Sequence, residues 1–155
     1  MGWGPIKRDR ADIEFSHAIR TRDRWTCQVC SREFPEGSQS LHCSHFFGRR
    51  MEGTRFDPEN CDSLCSACHL KYGDKNRKET VFVDGMPVTG DGIYRQWKIN
   101  RLGKEAFDRL EVRAHSYHKK DRAMALLEVR AFAAEVGAGF SGGILGGRTR
   151  QRRRK

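Results

Sequence analysis

Long apolar runs are what this chain has least of. Hydrophobic residues fill 37% of its 155 positions, and mean hydropathy is -0.77. No stretch approaches the roughly 20 apolar residues of a membrane-spanning helix. Met1 to Arg24 carries no apolar run of the kind that marks a secretory leader. A membrane protein is therefore excluded as the expectation, and the cytoplasm is the expected location. In that compartment CxxC pairs are expected to hold metal rather than form disulfides. A thioredoxin-like βαβ pattern is also missing, which argues against a redox reading of those pairs. No internal repeat is visible beyond them. At this length one domain with a small core is expected, helped by a metal.

What is plentiful is positive charge. Lys and Arg number 30 against 20 Asp and Glu, giving a net +10 and a pI near 9.7. Such an excess suits a polyanionic partner, with nucleic acid first. Part of it is local, because Arg148, Arg150, Arg152, Arg153, Arg154 and Lys155 crowd the end of the sequence. Residues 137–155 are expected to be a flexible glycine- and arginine-rich tail, adding salt-dependent affinity without sequence choice.

Periodicity predicts a short helix over Asp12–Arg22, with Ile13, Phe15, Ala18 and Ile19 inward. A strand is expected over Leu41–Phe47, then an arginine-rich loop over Gly48–Pro58, then a helix from Ser63 or Leu64 to about Gly73. Asp84-Gly85 between Thr80–Val83 and Met86–Val88 predicts a hairpin. Helices follow over Ile93–Leu102 and from Lys104 to about Ser116. A last helix is capped by Asp121, with Met124, Leu127, Ala131 and Ala134 on its inner face and Gly137 at its end.

Cys27-x2-Cys30 and Cys65-x2-Cys68 have the paired spacing of a closed tetrahedral zinc site. Cys61 is near enough in sequence to replace one of the four, so that set stays open. Cys43 is expected to pack as a small apolar group. Between and after the pairs lie His45, Asn60 and His69. A neutral imidazole at His45 can take a proton from water. Asn60 is expected to orient that ring through its side-chain carbonyl. His69, directly after Cys68, is expected to hold Mg2+ or a similar ion beside a phosphodiester. Arg49, Arg50 and Arg55 are candidates to contact the phosphate at the cut. His115, Tyr117, His118, Lys119 and Lys120 form a second polar group, expected to be ordinary solvated surface.

The combination of Cys27-x2-Cys30, His45, Asn60 and Cys65-x2-Cys68-His69 resembles the HNH, or ββα-metal, endonucleases. A closer resemblance is to the phage NinG (Rap) recombination nucleases. It is carried by Phe15-Ser16…Ile19-Arg20-x-Arg22-Asp23-x-Trp25-x-Cys27, by Cys43-Ser44-His45-Phe46, and by Thr54-Arg55-Phe56-Asp57-x-x-Asn60. It continues through Cys65-x2-Cys68 and, more weakly, Tyr94 to His118, covering about residues 12 to 120. Two positions depart from the pattern. Ser44 stands directly before the base, where many relatives carry a metal ligand, so His42 becomes the second candidate ligand of the catalytic ion. His69 stands where NinG-like sequences often have asparagine, which favours tolerance of Mn2+, Ni2+ or Zn2+.

The resemblance implies an α+β fold: a small zinc-stapled ββα-metal (HNH, His-Me finger) core with flanking helices. The domain is expected over residues 1–136, its core at about 23–75 and a helical extension at about 93–136. The implied activity is metal-dependent cleavage of DNA, with structural Zn2+ and catalytic Mg2+ or Mn2+. The implied substrate is a branched recombination intermediate, a Holliday junction or D-loop, and coordinated cutting of it would need a homodimer. The cytoplasm would be that of a bacterial host if the chain is phage-encoded. Two other readings are a nickase of plain duplex DNA and a zinc-stapled module that binds nucleic acid without cutting it. The triplet of His45, Asn60 and His69 favours the enzyme, because a pure binding module does not need it.

Overall fold

A computed structural model describes residues 6–73, 80–83, 85–89 and 92–139. Helix α1 spans Arg10–Arg22. It starts at a capping box: the Asp9 carboxylate accepts from the Asp12 N–H at 3.1 Å, and the Asp12 carboxylate accepts from the Asp9 N–H at 2.8 Å. Phe15, Ala18 and Ile19 face inward as expected, but Ile13 is 57% exposed. Its inward place is taken by Asp12 and Glu14, which are buried in ion pairs with Arg55 and Arg130.

The core is an antiparallel pair, β1 (Leu41–His45) and β2 (Cys61–Cys65), followed at once by α2 (Ser66–Gly73). The register sets Leu41 opposite Cys65 and His45 opposite Cys61. β2 corrects the helix expected from Ser63 or Leu64. All five of its residues are buried, so no alternation of polar and apolar positions marks it as a strand. Cys65 therefore closes a strand, while Cys68 and His69 ride on the helix.

Two clusters sandwich this unit. Trp25, Leu41, Leu64 and Tyr94 pack around the cysteine end, and Phe15, Ile19, Cys61 and Val129 around the other. The hairpin forms as β3 (Thr80–Val83) and β4 (Met86–Thr89), with Gly85 at φ 79 in the turn; Asp84 lies outside the described residues. Helix α3 (Gly92–Leu102) is tied to β2 by the buried Lys98 ammonium, which donates to Asp62. Helix α4 covers Lys104–His115.

Helix α5 (Arg122–Glu135) starts at Asp121, whose carboxylate accepts from the Ala123 and Met124 N–H groups. Its inner face is Ala125, Val129 and Ala133, not the expected Met124, Leu127, Ala131 and Ala134; Met124 is 52% and Leu127 62% exposed. Small residues win this face because α5 lies directly against α1, where Ala18 packs on Ala133. Gly137, at φ 72, ends the helix in a Schellman turn. The Ala138 N–H reaches the Ala133 carbonyl at 2.8 Å, and Ala138 packs onto Ala18 and Ala133. The arginine-rich stretch from residue 140 lies outside the described residues. No helix among the described residues is long and apolar enough to cross a membrane.

Candidate metal centres and active site

After α1 the chain turns through Arg24 and Trp25, both at positive φ (52 and 53), into the first cysteine pair. The Trp25 N–H donates to the Arg20 carbonyl at 2.8 Å, and the Arg20 guanidinium lies 5.0 Å from the Trp25 ring centre. This lock fixes where Cys27 and Cys30 face the end of β2. The four sulfurs of Cys27, Cys30, Cys65 and Cys68 lie within 4.8 Å of one another, with Cys30 and Cys65 3.8 Å apart. Zinc–sulfur bonds of about 2.3 Å give a tetrahedron with an edge of about 3.8 Å, so the cluster fits zinc. Burial would raise the Cys27 thiol, but the N–H groups of Cys30, Cys65 and Val29 bring it down to about 7. Cys68 is pushed up by burial and by its sulfur neighbours, as expected for thiols competing for one charge. Cys61 sits at the far end of β2 and groups instead with Cys43 and His45, so it replaces none of the four.

His45 ends β1. Its Nε2–H donates to the Arg55 carbonyl oxygen at 3.0 Å, which fixes the tautomer and leaves Nδ1 as the basic nitrogen. Burial pushes its pKa down to about 4; the Arg55 carbonyl opposes this and the Arg49 charge adds to it. The ring is thus neutral at physiological pH, as a general base must be.

Orientation of the ring was expected from Asn60, and here the structure differs. Asn60 is wholly buried and clamps the intervening loop: its Oδ1 accepts from the Phe47 N–H at 2.8 Å, and its Nδ2 donates to the Phe47 and Thr54 carbonyls at 2.9 Å each. It therefore sets the loop that carries Arg55, and the Arg55 carbonyl holds the ring. Gly53 in this loop passes so close to α4 that an added Cβ would meet the Arg113 carbonyl at 2.4 Å.

Arg55 also departs from expectation. The residue is 3% exposed, and its side chain forms a two-point pair with Asp12, Nε to Oδ1 at 3.0 Å and Nη2 to Oδ2 at 2.6 Å. A guanidinium so engaged cannot reach a substrate phosphate; it anchors the loop to α1. Ser44 points away from the cleft, its hydroxyl 2.9 Å from that of buried Tyr94.

His42 and His69 meet across β1 and α2 with their Nδ1 atoms 3.0 Å apart. Two metal–nitrogen bonds of about 2.1 Å at a right angle span about 3.0 Å, so this donor pair fits one divalent ion. Burial, and secondarily His42, lowers the His69 pKa, favouring the neutral ligand form. His42, His45 and His69 open onto one cleft of about 380 Å³. Arg49 lines it, whereas Arg50 is exposed and does not. Arg8 and Arg20 line it too, and sequence reasoning assigned neither a role. Arg8 precedes every motif, and Arg20 shares its cleft with residues that only the fold brings near. Tyr117 and His118 border a separate depression beside α5.

No curated protein and no solved structure matches the chain. Residues 27–75, which span both cysteine pairs, β1, β2 and α2, match the family model described as HNH endonuclease.

Proposed function

We propose that the protein is a metal-dependent DNA endonuclease with His45 as its general base. The observation that carries this reading is the bond from His45 Nε2–H to the Arg55 carbonyl, which leaves Nδ1 as the acceptor of a ring that shares one cleft with the His42–His69 pair. In the reaction, Nδ1 takes a proton from water as its oxygen attacks phosphorus, and the 3′-oxygen of the cut strand departs. When bound by His42 and His69, Mg2+ or Mn2+ supplies positive charge for the scissile phosphate and the leaving oxygen. Arg49, Arg8 and Arg20 line the same cleft and give it the sign a phosphate backbone needs. Arg50, exposed next to Arg49, is assigned to the flanking backbone.

The substrate class follows from the likeness to NinG nucleases: branched recombination intermediates, cut by a homodimer carrying two such clefts. Val112, Met124 and Leu127, on α4 and α5, are exposed apolar residues available for that contact. The test compares a four-way junction with a matched linear duplex in Mg2+, Mn2+ or EDTA, alongside sedimentation. Metal-dependent cutting of the junction by a dimer supports the full reading. Equal cutting of both substrates leaves a duplex nickase, and a strict monomer removes coordinated resolution. Binding without cleavage in every metal makes the domain a non-catalytic zinc module.

A further inference from the structure

Among the described residues, one further set of soft ligands comes together outside the four-cysteine cluster and the histidine pair. Cys43, His45 and Cys61 each offer a donor atom, and the three atoms lie within 4.8 Å of one another. The register explains why. His45 stands directly opposite Cys61, and Cys43 lies two residues before His45, so all three project from one face of the β1–β2 pair. Cys43 and His45 line the cleft, while Cys61 is wholly buried beneath them. Both cysteines also touch the apolar cluster around Phe15 and Ile19.

We propose that Cys43, His45 and Cys61 form a third metal site, selective for a thiophilic ion such as Zn2+ and distinct from both the four-cysteine cluster and the His42–His69 pair. Two thiolates and an imidazole prefer Zn2+ or Co2+ to Mg2+ or Mn2+. Three protein ligands leave a fourth position toward the cleft, the layout of an open rather than a closed site. An ion entering the site displaces the thiol protons of Cys43 and Cys61, which pass to solvent. An ion held here occupies the His45 nitrogen that would otherwise accept a proton. Excess Zn2+ therefore inhibits, and a chelator restores activity. That consequence rests on His45 being the base; the binding does not.

The experiment titrates Co2+ into the full chain already loaded with one equivalent of Zn2+, which Co2+ does not displace because it binds such ligands more weakly. A thiolate-to-cobalt charge-transfer band should appear at one equivalent. It should vanish in Cys43→Ser and in Cys61→Ser and persist in His42→Ala. Because Cys61 is buried and its variant can fail to fold, Cys43→Ser alone decides: a band that survives it, or no thiolate band in the wild type, overturns the proposal. Cleavage measured with and without excess Zn2+ reports on the base separately. A cobalt band without zinc inhibition would retain the site and count against His45 as base.

Discussion

The Asp12 carboxylate grips the Arg55 guanidinium at two points, 2.6 and 3.0 Å, while the Arg55 carbonyl accepts the His45 Nε2–H at 3.0 Å. One residue thus links helix α1 to the orientation of the imidazole, with its side chain facing one way and its backbone the other. Asp12→Ala leaves the Arg55 charge buried without its main partner. Loss of one member of such a pair costs about 3–5 kcal/mol. A comparable fall in unfolding free energy, with cleavage reduced more than DNA binding, is the expected result by denaturant titration and single-turnover assay. A loss below about 1 kcal/mol would mean that the pair is dispensable.

Asn60→Asp keeps the acceptor for the Phe47 N–H but removes both donations, to the Phe47 and Thr54 carbonyls. Each buried group left unpaired costs about 1–3 kcal/mol. Hydrogen exchange should quicken across residues 47–55 while the β1–β2 amides stay protected. Uniform quickening would instead mark Asn60 as a general stability element.

His45 also makes stability depend on pH. Its pKa falls from 6.5 to about 4 on folding, so the unfolded chain takes up the proton first. Stability contributed by the neutral ring is fully present above the ordinary pKa and is lost as pH drops toward 4. Urea unfolding of wild type and His45→Gln across this window, with no metal beyond one equivalent of Zn2+, separates the effect from acid loss of an ion at the four-cysteine cluster, which both proteins share. The wild type should lose more stability on acidification; parallel curves would contradict the burial of this ring.

Removing residues 148–155 should weaken DNA binding and flatten its dependence on salt, because each lost phosphate contact lowers the slope by about 0.9. Equal slopes for full-length and shortened chains would leave the tail without a role in binding.

The four-cysteine cluster was legible because paired local spacing carries it, and His45 and His69 stand on one cleft. Asp121 and Gly137 are likewise local signals, and the ends of the last helix stand close to where the sequence puts them; the Asp9 cap was not read, and the first helix starts two residues earlier than the sequence put it. What else escaped was non-local. Arg55 reads as a phosphate contact in a basic loop, and nothing near it in sequence reveals its partner Asp12 on α1. β2 is buried throughout and carries no alternation, so it reads as the start of a helix. On α5 the larger Met124 and Leu127 look like the core face, but close approach of α1 selects Ala125, Val129 and Ala133. The gathering of Arg8 and Arg20 at the cleft depends on how α1 lies against β1.

The most direct test of the central claim is single-turnover cleavage of DNA by wild type and His45→Ala in Mg2+ or Mn2+, with DNA affinity and thermal stability measured on the same samples. A general base contributes about 10²- to 10⁴-fold. Cleavage should fall by that order while affinity and folding are kept. Cleavage by the folded variant within a few fold of wild type would contradict His45 as the base.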